Sequence, residues 1–210
     1  MKSLNERKDS YFEEKAIFFK LLSSPIKLKI LQFISFSPRT VEECAKKFNQ
    51  SIQNMSLHLI SLHKANILSV SKVKNFHFYS LDDGQYFDLV NSALALDQQS
   101  LLSEDLLFDC TLESLAKDIK SKKINLIDLR SHDEIAYIPL NGTFAFSDKL
   151  NAFPAFLSEL PKSKMNVALC KGRLCERLAE AVLISNQNSF NVKGLPYSAK
   201  DLRNLQSLLI

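Results

Sequence analysis

The segment Met165–Arg177 limits the possible folds of this chain more than any other segment does. It reads MNVALCKGRLCER, an apolar run that leads into a loop beginning and ending in cysteine, followed by the start of a helix. Backbone N–H groups in such a loop, the positive end of the helix and the charges of Lys171 and Arg173 all favour the thiolate of Cys170 over its thiol. Cys170 is therefore a candidate nucleophile, and the alternative is a cysteine that packs in the interior.

Composition and the first residues bear on where such a protein works. The chain has 210 residues, 46% hydrophobic and 24% charged, which suits a folded soluble protein with one large domain or two small ones. It has no run of eighteen apolar residues, and its beginning lacks the apolar segment of a signal peptide. We expect a cytoplasmic protein that makes no membrane contact. In a reducing cytosol its cysteines stay free thiols; these are Cys44, Cys110, Cys170 and Cys175.

Positive charge is concentrated in the N-terminal half. Between Lys15 and Ser80, ten Lys and Arg residues oppose only Glu42 and Glu43, a net charge of +8, whereas residues 101–210 carry a net charge of +1. This distribution favours a polyanionic partner for one half alone. Polar and acidic residues at 100–110 indicate a linker, so we predict two domains, residues 1–100 and 101–210.

Helix signals in the basic half follow one another in helix-turn-helix order. Apolar residues recur at helical spacing over Tyr11–Leu22, and Ser23-Ser24-Pro25 ends that helix and starts a second one. Thr40 and Glu43 have the spacing of a capping box for a short third helix. Ser51 is a favourable N-cap for a fourth helix. The predicted apolar face of this fourth helix consists of Ile52, Met55, Leu59 and Leu62.

Polar side chains on the fourth helix predict a DNA-binding surface. Asn and Gln can pair with adenine edges in the major groove, and Ser can bond bases or phosphates. Two alternating runs, Ile67–Val73 and Phe76–Leu81, predict a β-hairpin that reaches the phosphate backbone, as the wing of a winged helix does. The alternative is a generic helical interaction module with a solvated polar face. The candidate DNA-binding residues are Ser51, Gln53, Asn54, Ser56 and His58 on the helix and Lys72 and Lys74 on the hairpin.

Four short motifs make the basic half resemble the ArsR/SmtB family of winged-helix repressors over about residues 12–95. They are FFKLLSSPIKLKIL from Phe18, TVEE from Thr40, NMSLHL from Asn54 and FYSL from Phe78. The resemblance implies binding to double-stranded operator DNA as a homodimer, through first and last helices that would be Tyr11–Leu22 and Gln85–Gln99 here. Many members sense metals through a cysteine pair before the recognition helix. Cys44 has no such partner, so we expect no metal site and no cofactor.

The second half alternates strand and helix patterns. Predicted strands are Ile124–Arg130, Met165–Leu169 and Phe190–Val192. Predicted helices follow Cys110, with Thr111 as N-cap, and lie around Leu150–Leu160 and Cys175–Asn186. Such alternation predicts an α/β domain with a parallel sheet flanked by helices, whose sites lie at the carboxyl ends of the strands. Cys170 falls at such an end.

Three motifs make this half resemble a single rhodanese domain, and fusion of an ArsR-like winged helix to a rhodanese domain is a recognised architecture. The motifs are LIDLR from Leu126 with Glu134 downstream, LCKGRLC from Leu169 and VKGLP from Val192. The resemblance implies that Cys170 accepts a sulfane sulfur as a persulfide from a donor such as thiosulfate or polysulfide. The implied active-site loop is Cys170, Lys171, Gly172, Arg173, Leu174 and Cys175, whose backbone N–H groups would cradle the persulfide. The implied framework residues are Asp128, Arg130 and Glu134.

Three features distinguish this loop and its surroundings. Cys175 can attack a Cys170 persulfide and close a disulfide, or it merely caps or packs at the start of a helix. Cysteine phosphatases carry Arg six positions after the nucleophile, where this chain has Glu176, so phosphate and arsenate chemistry is disfavoured. The run AYIPLNGT from Ala136 replaces the GHIPGA of many rhodaneses, and Lys193-Gly194 replaces a paired glycine.

Three functions fit these motifs. The first is a DNA-binding transcriptional regulator whose C-terminal domain senses or transfers sulfane sulfur through a Cys170 persulfide. The second is a thiosulfate sulfurtransferase acting at Cys170, with the winged helix serving autoregulation. The third is an inactive rhodanese-like domain that serves as a binding platform.

Overall fold

The computed structural model describes residues 4–81, 85–94 and 100–210 of the chain. The chain divides into two compact units, Met1–Leu94 and Ala95–Ile210. Each unit has its own set of buried apolar side chains. Within the described residues, no helix is both long enough and apolar enough to cross a membrane.

Helices and one hairpin make up the described part of the N-terminal unit. The helices are α1 (Leu4–Leu22), α2 (Pro25–Ser35), α3 (Val41–Phe48), α4 (Ile52–Lys64) and α5 (Gln85–Leu94). The strands are β1 (Ser69–Val73) and β2 (Phe76–Ser80), paired antiparallel. This order confirms the predicted winged helix-turn-helix, with α3 and α4 as the helix pair and the hairpin as the wing. The predicted extension of α5 to Gln99 lies outside the described residues.

Local hydrogen bonds explain where α3 and α4 begin. The Thr40 hydroxyl accepts a hydrogen bond from the Glu43 backbone N–H at 3.3 Å, and the Glu43 carboxylate accepts one from the Thr40 N–H at 2.8 Å. Asn49, with a left-handed φ of 50°, ends α3. Ser51 then caps α4 by accepting from the Asn54 N–H at 3.2 Å. The predicted capping box and N-cap are confirmed, so the turn between the two helices is encoded locally.

The predicted apolar faces of α1 and α4 were only partly correct. On α4, Met55 and Leu59 are fully buried, whereas Ile52 is 56% exposed because it lies at the helix end, where the core no longer covers it. α1 begins at Leu4, earlier than predicted, and exposes Phe12. Apolar residues surround α1 on more than one side, so their spacing did not determine which of them would be buried.

The C-terminal unit is a four-stranded parallel sheet with helices. In chain order the strands are β3 (Ile124–Asp128), β4 (Thr143–Ala145), β5 (Met165–Leu169) and β6 (Val192–Leu195), and in space they run β4-β3-β5-β6. The helices are α6 (Leu112–Lys120), α7 (His132–Tyr137), α8 (Phe153–Glu159), α9 (Glu176–Gln187) and α10 (Ala199–Leu209). The predicted parallel α/β sheet is confirmed.

The two central strands of this sheet are buried on both faces. Ile127 and Ala168 belong to a core cluster that includes residues of α8 and α9. Their neighbours Leu126 and Val167 are equally buried and face the other side, since side chains alternate along a strand. Continuous apolar runs are typical of such strands, which is why the sequence located β3 and β5.

Weaker elements were missed or misplaced. β4, α7 and α10 were not predicted, and β6 begins at Val192, where the predicted strand Phe190–Val192 ends. β4 is an edge strand of only three residues, too short for its few apolar residues to mark a strand. A signal for α10 was available, because Ser198 and Asp201 form a capping box at its start.

The predicted linker at 100–110 is wrong. Leu102 is 5% exposed and belongs to the core cluster of the C-terminal unit. Leu107 forms a parallel bridge with Gly194, and the Phe108 N–H donates to the Gly194 carbonyl at 2.9 Å. A Cβ at Gly194 would lie 2.6 Å from a terminal methyl of Leu102, so any larger residue there would make the Leu102 side chain move. The apolar residues of this segment pack against the core of the C-terminal unit. The acidic residues between them made the segment resemble a linker in the sequence.

Candidate functional site

The outer face of α4 presents the predicted DNA-binding side chains unequally. Gln53 and Asn54 are exposed, and the Asn54 side-chain amide donates to the Gln50 side chain at 2.7 Å. Ser56 is half-buried, and the Ser51 hydroxyl is already occupied as the N-cap. Gln53 and Asn54 are therefore the side chains available for base contacts. Sequence reasoning missed three exposed apolar residues on this helix, Ile52, Leu57 and Ile60.

His58 and the wing lysines differ in charge. Burial and the nearby Lys27 lower the pKa of His58 below its ordinary 6.5, so this ring is neutral near pH 7. It can contact a base but does not supply a cation for phosphate. Lys72 and Lys74 are exposed on the hairpin and keep that role.

Cys44 is an inert structural thiol. It is fully buried in α3 beside Glu43, and burial followed by the Glu43 charge raises its pKa to about 12, although the Arg39 charge opposes this. A thiol with such a pKa is protonated at any physiological pH. Among the described residues, no group of three His, Cys, Asp or Glu side chains is arranged to hold a metal ion.

The cysteine loop, Cys170–Cys175, joins the carboxyl end of β5 to α9. Cys170 follows the last residue of β5, and Cys175 is the N-cap of α9. The Cys175 N–H donates to the Gly172 carbonyl at 3.2 Å, and Gly172 has a left-handed φ of 87°. This tight turn brings the two cysteines together, and Gly172 is required because other residues rarely adopt that φ.

The two cysteines of the loop have opposite pKa shifts. Bonding from Cys170 lowers the pKa of Cys175 to about 6, helped by the backbone N–H groups of Leu178 and Lys171 and the Lys171 charge, although burial opposes it. The same hydrogen bond, followed by burial, raises the pKa of Cys170 well above 9.0. The pKa of Cys170 thus shifts in the direction opposite to the expected one, and it is Cys175 that lies at the helix N-terminus.

The charges around the loop are largely engaged within the protein. Lys171 Nζ lies 3.5 Å from Glu134 Oε1, and Glu134 is only 1% exposed. The Lys171 charge is therefore balanced and attracts an anionic donor less than predicted. Arg173 is half-exposed, and Leu174 is 51% exposed at the loop surface.

Asp128, Arg130 and Glu134 form a buried polar cluster behind the loop. Arg130 Nη2 and Nε donate to the Asp128 carboxylate at 2.7 and 2.9 Å, with both side chains fully buried. Arg130 also donates to the carbonyls of Ile138 and Glu134, at 2.8 and 3.3 Å. Glu134 accepts from the Ser131 N–H at 3.1 Å. These bonds join the end of β3 to α7 and, through Lys171, to the cysteine loop.

Sequence reasoning missed Arg177. Its guanidinium donates to the carbonyls of Leu129, Phe146 and Asp148, at 2.9, 3.1 and 2.7 Å. Arg177 therefore holds α9 against the ends of β3 and β4. Because its guanidinium is bonded to these carbonyls, it is not positioned to bind a phosphate, as already expected from Glu176. No sequence signal distinguishes this arginine from a solvated one.

Cys110 is the remaining thiol of the C-terminal unit, and it contacts Tyr197, a residue near Gly172 of the loop. Its sulfur is 3.3 Å from the Tyr197 hydroxyl, and the Tyr197 carbonyl is 3.5 Å from where a Cβ on Gly172 would stand. Burial raises the pKa of both Cys110 and Tyr197 above their ordinary values. Burial outweighs the Tyr197 hydrogen bond, which by itself lowers the pKa of Cys110, so Cys110 is a protonated thiol near pH 7.

Comparison with known proteins gives stronger support to the identification of the N-terminal unit than to that of the C-terminal unit. No family model matches the chain. The chain is 36% identical over 89 residues, 41% of its length and 71% of the relative's, to a probable mercury resistance operon repressor of Streptomyces lividans. It is 23% identical over 204 residues, 93% of its length and 89% of the relative's, to the HTH-type transcriptional regulator Rv0324 of Mycobacterium tuberculosis. A homodimeric winged helix-turn-helix DNA-binding domain of Mycobacterium bovis, described as a possible ArsR-family regulator, is 19% identical and covers 46% of this chain and 89% of its own, with a TM-score of 0.43.

The helix order, the capped turn and the hairpin define a winged helix-turn-helix protein. With the identity to the Streptomyces lividans repressor, the chain belongs, through its N-terminal domain, to the ArsR/SmtB-type winged helix-turn-helix transcriptional regulators.

Proposed function

We propose that this regulator binds double-stranded operator DNA as a homodimer and that its rhodanese-like C-terminal unit senses sulfane sulfur through a persulfide on Cys170. The observation that carries the proposal is the position of Cys170 and Cys175 at the two ends of one short turn, between the end of β5 and the N-terminus of α9. Such a pair has a stabilised thiolate at physiological pH and a second thiol beside it.

DNA binding is supported by the surface of the N-terminal unit. Gln53 and Asn54 are exposed at the start of α4, where recognition helices contact base edges. Lys72 and Lys74 are exposed on the wing, and the net charge between Lys15 and Ser80 is +8. Charge attracts the phosphate backbone, and the amides supply sequence preference.

Dimerisation through α1 and α5 is supported by apolar side chains that the unit leaves uncovered. Four large apolar residues of α1 are more than half exposed, and Leu89 of α5 is 40% exposed. A single helix with so many exposed rings is typical of an interaction surface. Sedimentation of the purified chain tests this assembly. The exposed residues of α1 are Tyr11, Phe12, Ile17 and Phe19.

The first chemical step uses both cysteines. The Cys170 thiol attacks the sulfane sulfur of a hydropersulfide, R–S–SH, while its proton passes to the Cys175 thiolate that already accepts its hydrogen bond. The S–S bond of the donor breaks and R–S⁻ leaves; with thiosulfate the leaving group is sulfite. Cys170 now carries the persulfide and Cys175 is protonated, so Cys175 acts first as a base.

The second step converts the persulfide into a disulfide. The released R–S⁻ takes the proton of Cys175, and the Cys175 thiolate attacks the Cys170 sulfur with loss of HS⁻. The two cysteines lose two electrons, and the sulfane sulfur is reduced to sulfide. Reduction by a cellular thiol restores the pair, as a reversible sensor requires.

A regulatory role for this chemistry is supported by the relative that matches both units. The Mycobacterium tuberculosis regulator aligns over 93% of this chain. The aligned region covers both units, and that relative is described as a transcriptional regulator. A sulfurtransferase working at high turnover is less well supported, because Cys170 is 1% exposed and Lys171 is paired with Glu134.

The test treats the full chain with sodium polysulfide and measures intact mass and operator affinity in parallel. The operator is first selected from a random duplex pool with the untreated protein. We expect the mass of one added sulfur, or the loss of two hydrogens, together with a changed affinity. Cys170→Ser should abolish both responses. Cys175→Ser lacks both the base and the attacking thiol, so it should form the persulfide more slowly and stop there. Cys110→Ser should behave as the wild type.

Each other outcome is informative. Modification without any change in affinity would favour the enzyme or the binding platform over the sensor. An unmodified Cys170, under conditions that persulfidate glutathione, would rule out sulfur chemistry at this loop.

A further inference from the structure

Residues Ser100–Leu102 touch the middle of the cysteine loop. The Leu101 backbone N–H donates to the Arg173 carbonyl at 3.1 Å, and the Ser100 hydroxyl donates to the same oxygen at 3.4 Å. Arg173 stands between the two cysteines, so both bonds depend on the conformation of the loop backbone. These are the first described residues after α5 of the DNA-binding unit.

The same three residues are anchored to the sheet. The Leu102 N–H donates to the Ser100 hydroxyl at 3.2 Å, and the Leu102 side chain is 5% exposed in the core cluster. It fills the space over Gly194 of β6 that a Cβ would occupy. Ser100–Leu102 is thus held at two points, the loop carbonyl and the surface of β6.

Chemistry at the cysteines must disturb the first of these points. A persulfide adds an atom beside a sulfur that is 1% exposed, and a disulfide fixes the separation and dihedral of the two side chains. A disulfide also removes the Cys175 thiolate, whose contacts with the N–H groups of Leu178 and Lys171 help to hold the loop. The loop backbone, including the Arg173 carbonyl, then has to adjust.

We propose that Ser100–Leu102 is a latch that reads the conformation of the cysteine loop, closed on the Arg173 carbonyl in the dithiol state and released when the pair reacts. Only residues 95–99 separate it in sequence from the end of α5, so release of the latch passes the state of the loop along the chain towards the DNA-binding unit. This inference rests on the proposed function for its biological input.

The test measures amide hydrogen exchange at Leu101 in the full chain, before and after formation of the Cys170–Cys175 disulfide. Sodium polysulfide is one oxidant; diamide is the other, and it takes the two thiol hydrogens and is reduced to its hydrazine. We expect protection of the Leu101 amide in the dithiol state and loss of that protection with either oxidant, while amides of β5 stay protected.

Two matched pairs of variants link the latch to DNA binding. Ser100→Ala and Leu102→Ala weaken the latch, and Ser103→Ala and Leu106→Ala change the same residue types just outside the latch segment. We expect the first pair to acquire sulfur to the wild-type extent, while the ratio of operator affinities before and after treatment falls towards one. The control pair should keep the wild-type ratio.

Failure of the latch and failure of the proposed function give different results. If diamide forms the disulfide and Leu101 stays protected, or if Ser100→Ala and Leu102→Ala respond as the controls do, the latch is wrong. If polysulfide leaves the wild type unmodified while the diamide disulfide still releases Leu101, the latch stands and the sulfur input is wrong.

Discussion

The two units of this chain carry their polar groups in opposite ways. In the N-terminal unit, Gln53, Asn54 and Lys72 are exposed, and the surrounding sequence has a strong positive charge. In the C-terminal unit, Asp128 and Arg130 are fully buried, and the net charge of residues 101–210 is only +1. Exposed groups act on whatever approaches them, whereas buried groups act only through the partners that the fold provides.

Two buried cysteines, one in each unit, differ in the pKa of their thiols. The pKa of Cys44, inside α3, rises to about 12, whereas that of Cys175, at the start of α9, falls to about 6. Burial raises the pKa in both places, but only Cys175 has a neighbouring thiol and free backbone N–H groups to stabilise its anion. The environment at a helix end, more than burial, therefore decides whether a cysteine here is reactive.

The largest effect is expected from breaking the buried ion pair of the C-terminal unit. Asp128→Ala leaves the Arg130 guanidinium buried without its carboxylate, which costs about 3–5 kcal/mol of unfolding free energy. We expect the C-terminal unit to melt at lower temperature while the N-terminal unit keeps its own transition and its DNA affinity. Calorimetry and gel-shift assays on the full chain check both parts.

The control for that variant is a surface pair in the same unit. Lys123 and Asp118 are 3.9 Å apart and Lys123 is 66% exposed, so Lys123→Ala should change stability by less than about 0.5 kcal/mol. If Asp128→Ala and Lys123→Ala lowered the free energy of unfolding equally, the buried ion pair would contribute no more to stability than the exposed one.

The next effect concerns the acidity of the cysteine pair. Because the pKa of Cys175 is about 6, its thiolate should be present at pH 7 and be lost as the pH falls through about 6. Cys170→Ala removes the main stabilising hydrogen bond, so the transition should move up towards the ordinary 9.0. Ultraviolet absorbance of the thiolate against pH, with Cys44→Ala as control, measures this; an unmoved transition in Cys170→Ala would contradict the shared proton.

A smaller effect is expected on the exposed face of α4. Gln53→Ala and Asn54→Ala should each weaken binding to the selected operator by about 1–3 kcal/mol and leave binding to unrelated duplexes unchanged. Operator and scrambled duplexes, compared at one salt concentration, make the measurement. Unchanged operator affinity in both variants would place the base contacts elsewhere.

The smallest effect is expected on the wing. Lys72→Ala should weaken binding to all duplexes alike and lower the slope of log affinity against log salt by about one, because one phosphate contact is lost. The neighbouring exposed Ser71 provides a matched control as Ser71→Ala. A loss confined to the operator would make Lys72 a base contact.

Much of the fold was predictable because its signals are local. The Thr40–Glu43 capping box, the Ser51 cap and the hairpin tip at Lys74 are set by neighbours in the sequence, and all were found where predicted. The buried strand before Cys170 was marked by its apolar run. β4 and the packing of Leu102 gave no such signal, because an edge strand and a half-acidic segment are defined by what lies against them.

The sequence by itself determined that this chain has a basic winged helix followed by an α/β unit with a cysteine at the end of a strand. Spacing, capping residues and charge depend on residues close in the chain, so no tertiary contact was needed to find them. Only the tertiary structure decided the opposite pKa shifts of Cys170 and Cys175, the ion pair between Lys171 and Glu134, and the hydrogen bonds of Ser100 and Leu101 to the Arg173 carbonyl. These properties depend on atoms brought together from distant parts of the sequence, where burial and hydrogen bonding set the energies.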